Sequence, residues 1–187
     1  MQKNIWNNEN LIKILKNGGV AIIPTDTVYG FVVSAFSSSA IEHLYSVRKP
    51  TSNKPCILLI GDVSEINKFD ITPTPEQEKV IKNYWPGPVT IIFDCPSESF
   101  RELHRGTNTR SFRLPDSSSF REFLKKTGPL LAPSANTEGN PIAKNIQEAK
   151  NYFGNVVDIY IDGGEIAGKP SKIIKLHKDG SATVLRE

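Results

Sequence analysis

Apolar residues fall into short blocks whose spacing switches between that of helices and that of strands. Leu11, Ile14 and Leu15 repeat at helical spacing within Asn8 to Asn17, and Gly18-Gly19 ends that helix. The unbroken run Val20 to Ile23 reads as a buried strand. Ser39-Ala-Ile-Glu42 has the form of a capping box, which predicts a helix to about Val47 with Ile41, Leu44 and Tyr45 inward. Cys56 to Ile60 is the next strand. Thr74-Pro75-Glu76-Gln77 opens a third helix that reaches Tyr84, where Trp85-Pro-Gly-Pro88 breaks it. Val89 to Phe93, Arg110 to Leu114 and Leu130 to Ala132 are extended, with a helix carrying Phe120, Phe123 and Leu124 before the last of them. Asn145 with Glu148 starts another helix, and Val156 to Ile161, Lys172 to Leu176 and Thr183 to Leu185 close the chain as strands. Roughly seven strands among four or five helices predict an α/β fold on a mixed sheet, because the last strands have no helices between them to make parallel crossovers.

Composition narrows this picture. The 187 residues, 38% of them hydrophobic, suit one domain spanning 1–187, and 13 glycines and 13 prolines are scattered as punctuation rather than massed in a linker. The net charge of +3 is too small to mark a nucleic-acid binder. Met1 to Asn10 lacks the apolar core of a signal peptide and no later run approaches a membrane span, so the expectation is a cytoplasmic protein with no membrane partner. Cys56 and Cys95 have no C-x-x-C spacing, so they read as buried or half-buried free thiols.

Several standard chemistries are excluded by local context. Gly163-Gly-Glu-Ile-Ala-Gly-Lys169 looks like a phosphate-binding loop, but Pro170 stands where Ser or Thr is needed and no helix can follow. His43, His104 and His177 have no metal-ligand spacing and read as surface residues, and Ser134 has no local base. What stands out is polar residues just past apolar strands: Thr25, Asp26, Thr27 and Tyr29 after Val20 to Ile23, and Ser134 with Asn136 after Leu130 to Ala132. Strand ends are where open α/β sheets hold ligands. Basic residues gather similarly, Arg48, Lys49 and Lys54 before Cys56, and Arg110 and Arg113 before Pro115.

Taken in order, Pro24-Thr-Asp-Thr-Val-Tyr-Gly30, Asn53-Lys-Pro55, Trp85-Pro-Gly-Pro-Val-Thr90, Arg113-Leu-Pro115, Ala132-Pro-Ser-Ala-Asn136 and Asp162-Gly-Gly164 form a set that resembles the YrdC-like family of threonylcarbamoyl-AMP synthases, from about Ala21 to Arg186. The resemblance implies a twisted mixed sheet with flanking helices around a basic cavity. It implies a reaction of L-threonine, bicarbonate and ATP that gives threonylcarbamoyl-adenylate and pyrophosphate, and a tRNA-modification complex as the consumer. By position, Thr27 and Arg113 would contact threonine, Arg113 as a fork for its carboxylate, with Ala132 lining the pocket through its backbone and Ser171 closing on it. Lys49 and Lys54 would face the ATP phosphates, Thr109 and Ser134 would hydrogen-bond the nucleotide beside Asn136, and Arg186 would close over it. Magnesium would arrive on the triphosphate, with Asp26 the nearest acidic side chain, and no residue is singled out as a catalytic base.

Two positions depart from that pattern. Val47-Arg48-Lys49-Pro50 stands where the family has Lys-x-Arg-Pro, so the charges are displaced by one place, and Lys172 follows Ser171 where threonine is common. Ending at Glu187, the chain resembles the short form without a further C-terminal domain. The displaced charges leave a non-catalytic RNA-binding protein of the same fold as the alternative, since a basic concavity also suits a phosphate backbone. A carbamoyl-transfer enzyme on the same cavity is a third reading, but one that goes with larger chains.

Overall fold

The computed structural model describes residues 5–48 and 55–187. The first helix, α1 (Glu9–Lys16), starts where the Asn8 side chain accepts the Leu11 N–H at 3.0 Å, and it buries Leu11 and Leu15 as the spacing predicts. It leads into β1 (Ala21–Ile23) and β2 (Gly30–Ser34), an antiparallel pair. Helix α2 (Ser38–Arg48) begins before the predicted Ser39 box: Ser37 is the cap, accepting the Ala40 N–H, and Tyr45 is only half-buried. Next come β3 (Ile57–Leu59) and α3 (Pro75–Tyr84), the latter with the predicted capping box between Thr74 and Gln77 in place. The remaining elements are β4 (Val89–Asp94), a short α4 (Arg101–His104), β5 (Thr109–Arg113), α5 (Ser118–Thr127), β6 (Leu130–Leu131), α6 (Ile146–Phe153), β7 (Ile159–Tyr160), β8 (Lys172–Leu176) and β9 (Ala182–Arg186).

Among the described residues, nine strands join one mixed sheet in the order β7-β1-β2-β6-β3-β5-β4-β8-β9. The β1/β7, β3/β5 and β4/β8 pairs are parallel, and the rest are antiparallel. Strand side chains alternate between faces, so neighbours in sequence serve different cores. Ile22, Leu58 and Phe112 pack with α2, α3 and α6 on one face. Ile23 and Leu59 pack with Leu11, Phe120 and Phe123 of α1 and α5 on the other. This second apolar layer stops at β3. Beyond it, register places Arg113 beside Leu59 and Ser111 beside Ile92 on the same face, so a polar strip continues where the helical cover ends.

The mixed sheet with flanking helices is as expected. Strand β2 was not: Phe31-Val-Val33 follows a polar turn motif that masks it, and its partners β1 and β6 are set by tertiary pairing. Strand β7 is shorter than predicted because Gly154–Val156 forms a 3-10 turn that leaves Val156 exposed. His104 is a second correction. It is 1% exposed, not a surface residue, because α4 packs its ring inward and its Nδ1 accepts the Gly106 N–H at 3.0 Å. Cys95 is buried and Cys56 half-buried, both as free thiols. Among the described residues no helix is long and apolar enough to cross a membrane.

Candidate functional site

The loop joining β1 to β2 is built around Thr25. Its hydroxyl donates to the Val28 carbonyl at 2.7 Å and accepts the N–H groups of Thr27 and Val28 at 3.2 Å, a closed local turn that fixes the next side chain. Thr27 is thereby held with its hydroxyl 3.1 Å from that of Thr25 and only 4% exposed. This loop is zipped to the one after β6: the Phe31 N–H donates to the Pro133 carbonyl and the Ala135 N–H to the Tyr29 carbonyl. Gly30 sits in the seam, where a Cβ would press on the Thr25 methyl.

Arg113, at the end of β5, reaches this loop from below. Its Nη2 donates to Asp26 Oδ1 at 2.9 Å and to Thr25 Oγ1 at 3.3 Å. Arg113 is buried, its side chain 6% exposed, while the Asp26 side chain is 12% exposed on a residue whose backbone is open to solvent. Burial pulls the guanidinium pKa down, Asp26 pulls it up, and nearby Arg186 lowers it further. One donor of the fork remains unused: Nε is buried with no hydrogen-bond partner. A buried charged donor without a partner is costly, and Nη2, which shares its edge, already donates to Asp26 and Thr25. Asp26 pairs with Arg113 through Oδ1.

The opposite wall comes from residues 162–171, a strap without regular structure. The Tyr29 hydroxyl donates to the Gly164 carbonyl at 2.7 Å and accepts the Gly163 N–H at 2.9 Å, and the Ile166 N–H donates to Lys144. Gly168 lies against the Thr27 loop so closely that a Cβ would run into the Thr27 carbonyl. At the strap's end, Ser171 bonds Thr90 at 2.7 Å, and Arg186 of β9 donates from Nε and Nη2 to the Ser171 carbonyl at 3.0 and 2.6 Å. The Arg186 pKa is lowered by burial.

These walls enclose a cavity of about 110 Å³ that brings together Thr27, Arg113, Ala132, Ser134, Ser171 and Arg186, with Val28, Ile57 and Ile142 as its apolar lining. Asn136 stands behind the wall, accepting the Ser134 hydroxyl at 2.6 Å. Thr109 is not in the wall. It lies four residues before Arg113 on β5, about 13 Å along the strand but on the same face. Lys49 and Lys54 lie outside the described residues. Sequence reasoning assigned no role to Thr25, which organises the loop, or to Thr90, which anchors Ser171. Both lie inside quoted motifs, and only the folded contacts separate them from their neighbours. Among the described residues no group of three or more His, Cys, Asp or Glu side chains converges as a metal site.

A mixed sheet whose polar strip ends in a small cavity with two arginines in its wall defines the class, an α/β protein with a basic pocket. The Sua5/YciO/YrdC family model, described as "Telomere recombination", matches residues 13–187, and the chain belongs to that family. It is 30% identical over 155 residues to the threonylcarbamoyl-AMP synthase of Bacillus subtilis, which covers 81% of this chain and 44% of that protein. Among solved structures it is similar to P. abyssi Sua5 complexed with L-threonine (TM-score 0.85, 26% identity, 97% of this chain and 54% of that one). It is likewise similar to E. coli YciO (TM-score 0.83, 26% identity, 100% and 90%). The chain therefore spans about half of the first two proteins and most of the third.

Proposed function

We propose that the protein is a threonylcarbamoyl-AMP synthase, a nucleotidyltransferase that joins L-threonine, bicarbonate and ATP. The observation that carries this reading is the half-used Arg113 fork in an amino-acid-sized cavity. A cavity of about 110 Å³ is well below the ~300 Å³ at which drug-sized ligands begin. It admits threonine and excludes a nucleotide. ATP then lies outside this small cavity, with Lys49 and Lys54 as its phosphate partners and Thr109, half-buried at the start of β5, beside it. RNA fits less well, since the cavity is small and its two cations, Arg113 and Arg186, face one pocket rather than a track for successive phosphates.

In the reaction, the threonine amine and bicarbonate give a carbamate and water. A carbamate oxygen attacks the α-phosphorus, the bond to the β-phosphate oxygen breaks, and pyrophosphate leaves. The carbamate is already an anion, so no strong base is required of the protein. Arg113 and Asp26 orient the amino acid, Thr27 and Ser134 supply polar contacts, and Arg186 adds positive charge where negative charge accumulates. Magnesium enters with ATP, held by phosphate oxygens and water, since the described residues offer no carboxylate cage. The product feeds a tRNA-modification complex, in the cytoplasm.

The test is pyrophosphate release from ATP and magnesium. It is expected to require both L-threonine and bicarbonate. Release without threonine, or none under any magnesium concentration, would overturn the reading.

A further inference from the structure

Thr27, Arg113 and Ser171 are buried beneath the lining of the small cavity. Water barely touches them, so a larger ligand reaches them only by displacing part of a wall. Most of the described lining is held by hydrogen bonds. The Thr25 turn is zipped to the loop after β6, the Ala132 N–H donates to the Ile57 carbonyl at 2.8 Å, and Arg113 and Arg186 sit on paired strands. Ile142 is flanked by Pro141, whose carbonyl accepts the Tyr152 hydroxyl, and by Ala143, whose N–H donates to the Ala135 carbonyl.

Pro170 comes from a different kind of segment. Residues 167–170, Ala-Gly-Lys-Pro, are all exposed, and among the described residues none makes a hydrogen bond to them. The segment is pinned only at its ends. Before it, the Ile166 N–H donates to the Lys144 carbonyl at 2.8 Å and the Ile166 side chain packs on the core. After it, Ser171 bonds Thr90 and accepts from Arg186. Between these pins the Gly168 backbone rests against that of Thr27, and Pro170 completes the cavity lining. Lifting the segment loses contacts but breaks no hydrogen bond, which places it at the low end of local stability.

We propose that residues 167–170 are a flap, hinged at Ile166 and Ser171, that lifts to admit the ligand and closes over it. The stretch that looks like a phosphate-binding loop thereby acquires a different use: Gly168 lets the closed flap lie on the Thr27 carbonyl. The inference rests on the proposed function only for L-threonine, the ligand of one arm of its test.

The first arm is backbone amide relaxation, by nuclear magnetic resonance, of the ligand-free protein. Ala167, Gly168 and Lys169 are expected to show order parameters below about 0.6 or microsecond-to-millisecond exchange, and Thr27, Val28 and Ala135 neither. Rigid amides at 167–169, or equal motion at Thr27 and Val28, would overturn the flap whether or not threonine binds. The second arm is Ala167→Gly, at an exposed position outside the cavity lining, where glycine frees the backbone and favours the open form. Because entry and release both need the flap open, the association and dissociation rates of L-threonine, read from resonance line shapes during titration, should rise by the same factor. That factor is expected to be about 2- to 5-fold, with Kd changed by less than about 1.5-fold and the melting temperature near that of wild type. Rates identical to those of wild type mark a fixed wall and would overturn the inference alone. A mobile flap on a wild type that does not bind L-threonine would overturn the proposed function and leave the flap standing.

Discussion

Arg113 carries most of the site's electrostatics and does two things at once. Nη2 satisfies Asp26 and Thr25, and the buried Nε is left for a ligand. Arg113→Ala removes both and leaves the Asp26 side chain, 12% exposed, without its cation, costing about 1–3 kcal/mol of stability. Arg113→Lys separates the two roles, since an ammonium can still pair with Asp26 but cannot form a planar fork. It is expected to raise the threonine KM about 30- to 100-fold while changing the ATP KM by less than about 3-fold and leaving the melting temperature near that of wild type. Steady-state kinetics with each substrate varied in turn checks this, and equal changes in the two KM values would contradict the division of the pocket. Strand ends and quoted motifs singled out Thr27, Ala132 and Ser134, and the family resemblance alone singled out Ser171 and Arg186; the fold brings all five to one cavity. The Arg48 to Asn136 contact was not legible, since it joins positions 88 apart and depends on how α2 ends.

At the scale of elements, the strap of residues 162–171 closes the cavity, and its hold on the Thr25 loop is local. Tyr29 makes two hydrogen bonds to it, and Gly168 lets its backbone approach Thr27. Tyr29→Phe should cost about 1–3 kcal/mol and speed amide exchange along the strap before anything else. Burial raises the Tyr29 pKa above its ordinary 10.0, so its contribution is fully present below that pH and is lost only as pH rises through the higher folded value. Protease cleavage within the strap should accordingly be flat from neutrality to about pH 10 and climb above it in wild type, whereas in Tyr29→Phe it should already be high at neutrality. Gly168→Ala forces the strap off the Thr27 carbonyl and should weaken threonine binding at least about 10-fold with little change in ATP binding, measured by titration. The apolar spacing marked α1, α3, α5 and α6 and most strands. It missed β2 and overextended β7, because in both cases pairing to distant strands decides where regular structure begins and stops.

For the whole molecule, the sheet order explains why a cavity exists. The strap leaves β7 at one edge and enters β8 near the other, seven positions away in the sheet. Across the sheet that is about 34 Å, against a reach of about 40 Å for the segment between Tyr160 and Lys172, so the strap crosses it with little slack. Strands from both halves thereby face one another across the ligand site: Thr27 and Gly30 from one, Arg113, Ser171 and Arg186 from the other. This closure was not legible in the sequence, which shows that β7, β8 and β9 lack intervening helices but not that they lie at opposite edges.

The most direct test of the account is the identity of the product. The protein, incubated with ATP, magnesium, L-threonine and carbon-13 bicarbonate, should yield an adenylate whose mass includes both threonine and one labelled carbon, and Arg113→Lys should yield far less at the same threonine concentration. An adenylate lacking the labelled carbon, or pyrophosphate release that accompanies no threonine-containing adenylate, would contradict it.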